Sequence, residues 1–343
     1  MRVGASRLTE AASLLGDWRA LAPRASNLTP FQSPAWIATW LQAAAGRCDV
    51  WVLRAEAGGE VIALGVVGVA TRKGRLAETG EASLDDVYVE YNEPLIAVGA
   101  PGDVRRRLLQ VALSELGVRS LTLRNVPPPL RQAALAAGRE AGWVVRVVRE
   151  NPCYGVRLQD PDARSRNTRQ QIARAERLYA ERGALTLDVA ADPASRLSAF
   201  AKLTALHERV WQARGQDGAL RGAQADFHRA LLSRDDAAAE ILVVRCGGAP
   251  IGALYNLIGR GEVMNYQSGF AFEADNRLKP GLLTHELAMR RYREAGFAVY
   301  DMMAGQARYK EQLGEALRRL SVLELERPSL RQKLKGVART FRP

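Results

Sequence analysis

The chain has 343 residues, 47% of them hydrophobic and 25% charged, with a formal net charge of +12. That length favours two domains over one, and that balance of apolar and charged residues supports a full core and excludes a mostly disordered chain. Only six of the 49 basic residues are lysine (73, 202, 279, 310, 333 and 335), so the excess charge is carried by arginine. It implies an anionic partner such as a phosphorylated cosubstrate, RNA or an acidic membrane surface, or else a coding preference for Arg.

In chain order, residues 8–45 read as largely helical. Ser33-Pro34 opens one helix with Pro at its first position, and Trp36, Thr39, Trp40 and Ala43 then recur at helical spacing as a core face. Two apolar runs, 50–55 and 61–70, turn about Gly58-Gly59 as a hairpin. The stretch 83–94 is acidic and aromatic, and its Asp85, Asp86 and Tyr91 would attract an amine if they face a cleft. A helix over 103–116 closes at Gly117 and is followed by a strand over 120–123. Pro127-Pro128-Pro129 breaks the chain before a short helix and a strand over 143–148.

Asn151-Pro152 marks a domain joint, giving domains 1–152 and 153–326 and a tail 327–343. Beyond it come a strand over 154–158 and an Arg-rich helix over 165–182 capped by Gly183. A strand over 185–189 and a helix over 195–214 closed by Gly215 complete this part. A strand carrying Tyr266-Gln267-Ser268 leads to Lys279-Pro280-Gly281, which opens a helix that Gly296 closes. The next strand ends at Asp301, and a loop with Gly305 reaches Tyr309-Lys310. Strand, glycine-opened helix, strand is the local geometry of an anion site. The tail joins six basic residues and no acid to Leu330, Leu334, Val337 and Phe341 at helical spacing. It reads as a basic amphipathic helix, packed on its own domain or touching a membrane surface or RNA.

The second half echoes the first. Gly247-Gly248 repeats the Gly58-Gly59 hairpin 189 positions on, and the helix-Gly296-strand unit repeats the helix-Gly117-strand unit 179 positions on. The same order at similar offsets predicts a duplicated α/β domain. Cys48, Cys153 and Cys246 have no metal spacing and read as reduced thiols. The N-terminus lacks an apolar signal core and no run reaches the roughly 20 residues of a membrane span, so a cytoplasmic protein is expected.

Several motifs then stand in a familiar order: Phe31-Gln-Ser-Pro-Ala-Trp36, Asn151-Pro-Cys-Tyr154, the Arg-rich helix from Ser165, and the run from Leu206-His207 through Trp211 to Gly215. After them come Tyr266-Gln267-Ser268-Gly269-Phe270, Lys279-Pro280-Gly281, and Tyr300-Asp301 through Tyr309-Lys310. With these the chain resembles GNAT-superfamily acyltransferases of the CelD-like type, associated with cellulose and exopolysaccharide biosynthesis and related to Fem-type peptidyltransferases. The resemblance implies an α/β (α+β) fold of two tandem GNAT-like domains, each a mixed central sheet flanked by helices. It implies transfer of an acyl group from acyl-CoA, as co-substrate, or from acyl carrier protein, to a small-molecule amine or amino sugar. Of the usual acyl-CoA loop pattern only Gly281 is present. The Fem relatives imply an alternative donor, aminoacyl-tRNA, and a non-catalytic binding module is the third reading.

The expected site follows. Lys279, Gly281 and Leu282 would hold the donor pyrophosphate at the helix start. Asp301, at a strand end, would take the amine proton, and Tyr309 would protonate the leaving group. Lys310 would bind phosphate or act with Tyr309, and Gln267 and Ser268 would hydrogen-bond substrate. On the 165–182 helix Arg166, Arg169 and Arg177 fall opposite Ile172, Ala175 and Tyr179, placing the arginines outward to hold phosphates. His207, Trp211 and Arg214 share a helix face that would line the acceptor cleft, with His207 as a base, or pack into the core. His228 reads as a surface residue. His285-Glu286 begins a zinc-protease motif, but Met289 stands where the second His belongs, so no metal is expected. Neither a nucleophile elbow, a P-loop nor a Rossmann glycine triad is present, which favours direct attack by the amine.

Overall fold

The computed structural model describes residues 1–85, 89–160, 164–212 and 220–328. Its elements are β1 (Arg2–Arg7), α1 (Ala11–Leu21), α2 (Pro34–Ala44), β2 (Asp49–Ala57), β3 (Glu60–Ala70), β4 (Lys73–Leu76), α3 (Ala82–Asp85), β5 (Leu95–Ile96), α4 (Val104–Glu115), β6 (Ser120–Val126), α5 (Pro128–Glu140) and β7 (Val144–Arg157). They continue with α6 (Arg166–Ala180), β8 (Leu185–Ala190), α7 (Pro193–Gln212), α8 (Gly222–Leu232), β9 (Ala239–Cys246), β10 (Ala249–Ile258), β11 (Glu262–Phe270), α9 (Pro280–Glu294), β12 (Val299–Ala304), α10 (Arg308–Leu313) and β13 (Glu315–Glu326). The chain forms two compact units, Met1–Glu150 with the segment from Leu320, and Asn151–Arg319. Beyond Pro328 the basic tail lies outside the described residues, as do Asp86, Tyr88 and Arg214. No helix among the described residues is long and apolar enough to cross a membrane.

In the first unit β1, β2, β3 and β4 are antiparallel neighbours. The turn between β2 and β3 runs through Gly58 and Gly59, both at positive φ (59° and 84°), a conformation glycine adopts at little cost. α4 then carries the chain to β6, which lies parallel to β4, and the strand beside β6 is β13, from the far end of the chain. Leu323 and Leu325 of β13 are fully buried among Leu121, Leu123, Leu108 and Leu130.

The second unit repeats this order. β8, β9, β10 and β11 are antiparallel neighbours, with the turn between β9 and β10 at Gly247 and Gly248. α9 crosses to β12, parallel to β11, and the strand beside β12 is the 153–157 part of β7. The expected helices and hairpins are present, and each unit is a mixed sheet flanked by helices, so the repeat seen as two Gly-Gly turns is a repeat of topology. In neither unit does the final strand come from the segment directly after the crossover strand.

The helices of the second unit lie on both faces of its sheet. Gly252 of β10 lies under Thr284 of α9, and Leu254 shares a core with Ile172 of α6 and Leu282 of α9. Tyr255, one position out of phase, meets Phe200 of α7 with ring centroids 6.1 Å apart. Alternation along the strand therefore sets α6 and α9 on one face and α7 and α8 on the other.

Because β13 completes the first core, Leu323→Ala should destabilise the protein as much as Leu121→Ala of the same core. A loss of about 2–5 kcal/mol is expected for each in urea unfolding; a Leu323→Ala cost under about 1 kcal/mol would show that β13 is peripheral.

Candidate active site

The site begins where two strands part. β11 and β12 pair at only three positions, Glu262 with Val299, Val263 with Tyr300 and Met264 with Asp301. Beyond these, 265–270 of β11 continue beside β10 alone, with the β10–β11 register slipping between Tyr255 and Asn256. Buried asparagines hold the slip. Asn265 Nδ2 donates to Asn256 Oδ1 at 3.0 Å, Asn256 Nδ2 to the Tyr292 hydroxyl at 2.9 Å, and the Ser268 hydroxyl to Asn265 Oδ1 at 2.9 Å. Such groups stay buried only with their hydrogen bonds made, so the network fixes the strand's course.

β12 bends at the same level. Its register with β7 breaks between Asp301 and Ala304, and Met303 stands at φ 64°, a conformation that costs a side-chain-bearing residue energy. Asp301 Oδ1 accepts the Met303 N–H at 2.6 Å, and its other oxygen lies 3.4 Å from Arg318, which also pairs with Glu262. Lys310 is buried, and its ammonium donates to the carbonyls of Met303 (3.1 Å) and Ala304 (2.7 Å). Asp301 and Lys310 thus hold the bend that separates the strands.

α9 begins at this opening. It starts after β11 and runs back to β12, so its N-terminus lies at the carboxyl ends of both strands. Lys279 at its N-cap is left-handed (φ 47°) and supplies no side-chain cap, and Pro280 has no N–H to offer. Leu283 N–H makes the first helical bond, to the Lys279 carbonyl at 3.1 Å. The N–H groups of Gly281 and Leu282 are thereby left at the positive end of a 15-residue helix. A Cβ on Gly281 would stand 3.3 Å from the Phe270 ring, so the glycine lets the end of β11 approach the helix. The Leu282 side chain is buried in the core, leaving only its backbone to serve a ligand.

On the other face, α7 approaches β11 nearly backbone to backbone. A Cβ on Gly269 would stand 2.6 Å from the Leu203 carbonyl. Here His207 is buried and its Nδ1 lies 3.0 Å from the Ser268 carbonyl. A carbonyl can only accept, so Nδ1 carries the hydrogen and Nε2 keeps the lone pair. Burial lowers the pKa of His207, which keeps the ring neutral. Gln267 is half-buried and its carbonyl accepts weakly from Asn265, at 3.4 Å. Trp211 lies in the last turn of α7, with its side chain outside the described residues.

Tyr309 follows β12 and stacks on His285 of α9, with centroids 5.4 Å apart and planes 14° apart. Burial pushes its phenol up to about 12, so it is a protonated donor at neutral pH. His285 is wholly buried against Tyr300, Tyr309 and Phe270. His228 corrects an expectation: it is not at the surface but 1% exposed, with Nδ1 and Nε2 each 3.2 Å from the hydroxyls of Tyr255 and Tyr266. Ala225, Leu231 and Leu232 at helical spacing around it carried that signal in the sequence. Burial lowers both His228 and His285 to about 3, with the charge of Lys310 adding to the effect at His285.

Arg166 and Arg169 stand exposed on α6 with Arg174 and Arg177, while Ile172, Ala175 and Tyr179 are buried beneath. Other arginines clamp the helix: Arg164 pairs with buried Glu286 of α9, and Arg290 bridges Glu286 (2.8 Å) and Glu176 (2.7 Å). Among the described residues no group of three or more His, Cys, Asp or Glu is placed to hold a metal ion.

The equivalent gap in the first unit is filled by the chain itself. β4 and β6 also pair at three positions, and Asn125 of β6 has φ 51°. Asn92 donates its backbone N–H to the Asn125 carbonyl at 3.1 Å and its side-chain Nδ2 to the Leu76 carbonyl at 2.9 Å. Asn125 Nδ2 in turn donates to the Val89 carbonyl at 3.1 Å. Residues 89–92 therefore lie bonded to both strand ends. Asp85 serves the same segment, accepting from Thr79 N–H, the Thr79 hydroxyl and Gly80 N–H. In the second unit only residues 271–279 separate β11 from α9, with Ala271 N–H donating back to the Ile251 carbonyl of β10.

A mixed sheet with one parallel pair that splays, a crossover helix that starts at the opening and polar groups on both sides mark the candidate site in the second unit. Residues 166–311 match the model of the acetyltransferase (GNAT) domain. The chain is also similar in fold to FemX (TM-score 0.59, 11% identity, 97% of this chain and 99% of that one). It resembles the C-terminal domain of the Agrobacterium fabrum protein named as a lysylphosphatidylglycerol synthetase (0.56, 14%, 96% and 97%). A tandem GNAT protein from the clavulanic acid biosynthesis pathway is a third likeness (0.51, 16%, 96% and 100%). At these identities the structures speak for the fold. None of the curated proteins compared matches the chain. Domain match and fold together support an acyltransferase of the GNAT type.

Two measurements probe this geometry. Gly269→Ala should lower stability by about 1–3 kcal/mol, because the methyl meets backbone that has to move; an unchanged urea midpoint would contradict the close approach of α7. The histidines predict the pH response. With His228 and His285 near about 3, below the ordinary 6.5, the unfolded chain binds protons that the folded one refuses. Their stabilising contribution is full above about pH 6.5 and is lost as pH falls toward about 3, by about 1.4 kcal/mol per pH unit for each ring. His228→Phe should flatten that slope between about pH 6 and about pH 4, and an unaltered slope would show that the ring titrates normally.

Proposed function

We propose that the protein is an N-acyltransferase that moves an acyl group from acyl-CoA, or acyl carrier protein, to the amine of a small molecule or amino sugar. The observation that carries the reading is the coincidence, in the second unit, of the β11–β12 opening with the two uncapped N–H groups at the start of α9. A helix start of this kind suits the pyrophosphate of a nucleotide donor, with Lys279 adding charge. The domain match falls on the same unit.

In this reading the donor's thioester lies at the opening and the acceptor reaches it from the α7 face. The amine attacks the thioester carbonyl, the C–N bond forms and the C–S bond breaks. His207 Nε2 takes the amine proton, its tautomer fixed by the Ser268 carbonyl. Tyr309 gives its proton to the departing thiolate. Asp301 and Lys310 are assigned to shaping the opening, because backbone groups engage both. Gln267 and Ser268 border the acceptor. The motif resemblance to CelD-like proteins favours a place in polysaccharide or cell-envelope biosynthesis.

A second reading is aminoacyl transfer from tRNA, with the exposed arginines of α6 (Arg166, Arg169, Arg174 and Arg177) as the phosphate-binding face. Thermal unfolding with acetyl-CoA, a long-chain acyl-CoA and total tRNA in parallel separates the two. The first reading predicts stabilisation by the CoA thioesters, about 2.7 kcal/mol at a hundredfold excess over Kd. Gly281→Glu should remove that gain by placing a carboxylate at the helix start. A response to tRNA alone, falling steeply with salt, would contradict the thioester donor.

A further inference from the structure

We propose that one end of the first unit's sheet, together with the basic tail that leaves from it, docks on a bilayer of anionic lipid. The surface belongs to the first unit alone and is independent of the donor reading. At this end Ser120 of β6 stands between Lys73 of β4 and Glu326 of β13. Just outside these pairs the Arg119 N–H donates to the Arg72 carbonyl at 2.7 Å, and the Arg327 N–H donates to the Arg119 carbonyl at 2.9 Å. Three arginines flanking three neighbouring strands thus stand in one row, with Lys73 beside it, and all four residues are exposed.

Strands lie about 4.8 Å apart, so the row sets like charges side by side, an arrangement that costs stability unless something neutralises it. The first unit supplies no counter-charge. Among the described residues none of the four forms an ion pair: Arg72 Nε donates only to the Gly117 carbonyl, at 3.3 Å, and Glu326, next to Arg327 in the chain, is held by Arg146 at 2.8 Å. The tail that follows Arg327 adds Arg331, Lys333, Lys335, Arg339 and Arg342 and no acid. At about 100° per residue its Leu330, Leu334, Val337 and Phe341 fall within one narrow stripe, and Arg331, Lys335, Arg339 and Arg342 fall away from it. Charge alone would suit RNA as well as a bilayer, and the stripe decides between them. An apolar stripe beside a basic face enters the boundary between headgroups and acyl chains, whereas on RNA it would stay in water. Folding back onto the row would add the tail's positive charge to a surface already without acids. Anionic lipid answers both features, with phosphates for the row and hydrocarbon for the stripe.

Flotation of the full chain with vesicles of phosphatidylcholine alone, and of phosphatidylcholine mixed with phosphatidylglycerol, tests the surface without any variant. The protein should bind the mixed vesicles and not the neutral ones, and added salt should weaken the binding. Lys73→Gln combined with Arg119→Gln should weaken it about twenty- to thirtyfold, since each basic residue near the surface contributes about fivefold. Phe341→Ser, which leaves every charge in place, should weaken it about tenfold. Equal binding to both kinds of vesicle, binding to neither, or mixed-vesicle binding that survives the Lys73 and Arg119 changes would overturn the proposal. So would binding of total tRNA with none to vesicles. A Phe341→Ser protein that keeps its vesicle binding but unfolds at lower urea would show the stripe packed on its own domain, and would overturn it as well.

Discussion

The transfer reaction proposed for this chain depends on β11 and β12 staying apart after three paired residues. Parallel neighbours would otherwise continue their ladder, since each unpaired backbone group near the core has a cost. The separation is enforced from both sides by polar groups. On β11 the asparagine pair at the β10 slip fixes the strand's course. On β12 the Asp301 carboxylate and the Lys310 ammonium hold Met303 in its left-handed bend. Each of these contacts would leave a buried charge or amide unsatisfied if broken, at about 1–3 kcal/mol or more. The helix start of α9, the His207 tautomer and the stacked Tyr309 are all placed by strands that this opening has already positioned.

Duplication lets the two openings be compared. Both units have the same strand order, the same crossover helix and a left-handed residue beyond the parallel pair, Asn125 in one and Met303 in the other. They differ in the connection from the fourth strand to the crossover helix. Residues 77–103 in the first unit are long enough for Asn92 to bond both strand ends, whereas residues 271–279 in the second are not. The same strand order thus yields a gap bridged by residues 89–92 in the first unit and no equivalent bridge from residues 271–279 in the second, and the difference resides in a loop, where insertion is tolerated.

The sequence displayed the local features and concealed the long-range ones. Gly58-Gly59, Gly247-Gly248, Pro280-Gly281 and the outward arginines of α6 are punctuation and periodicity, and each was legible from neighbouring residues. The use of β13 beside β6 was hidden, because it joins residues some 200 positions apart. Asp301 stood at a strand end as a candidate base, and the sequence does not show that Met303 two residues on takes a left-handed turn and donates its N–H to that carboxylate. His228 was misread because one histidine in a short helix says little until its face is compared with Ala225 and Leu232. The burial of His285 against Phe270 and Tyr309 is a property of the fold that its neighbours in sequence do not show.

The most direct test is a crystal structure of the full chain soaked with a CoA thioether that cannot transfer its acyl group. The ligand should lie in the second unit alone, with its pyrophosphate at Gly281 and Leu282 and its arm between β11 and β12. The Asn92 bridges of the first unit should remain in place. Ligand between β4 and β6, with residues 89–92 displaced, or ligand bound away from the start of α9, would contradict the assignment of the opening as the donor site.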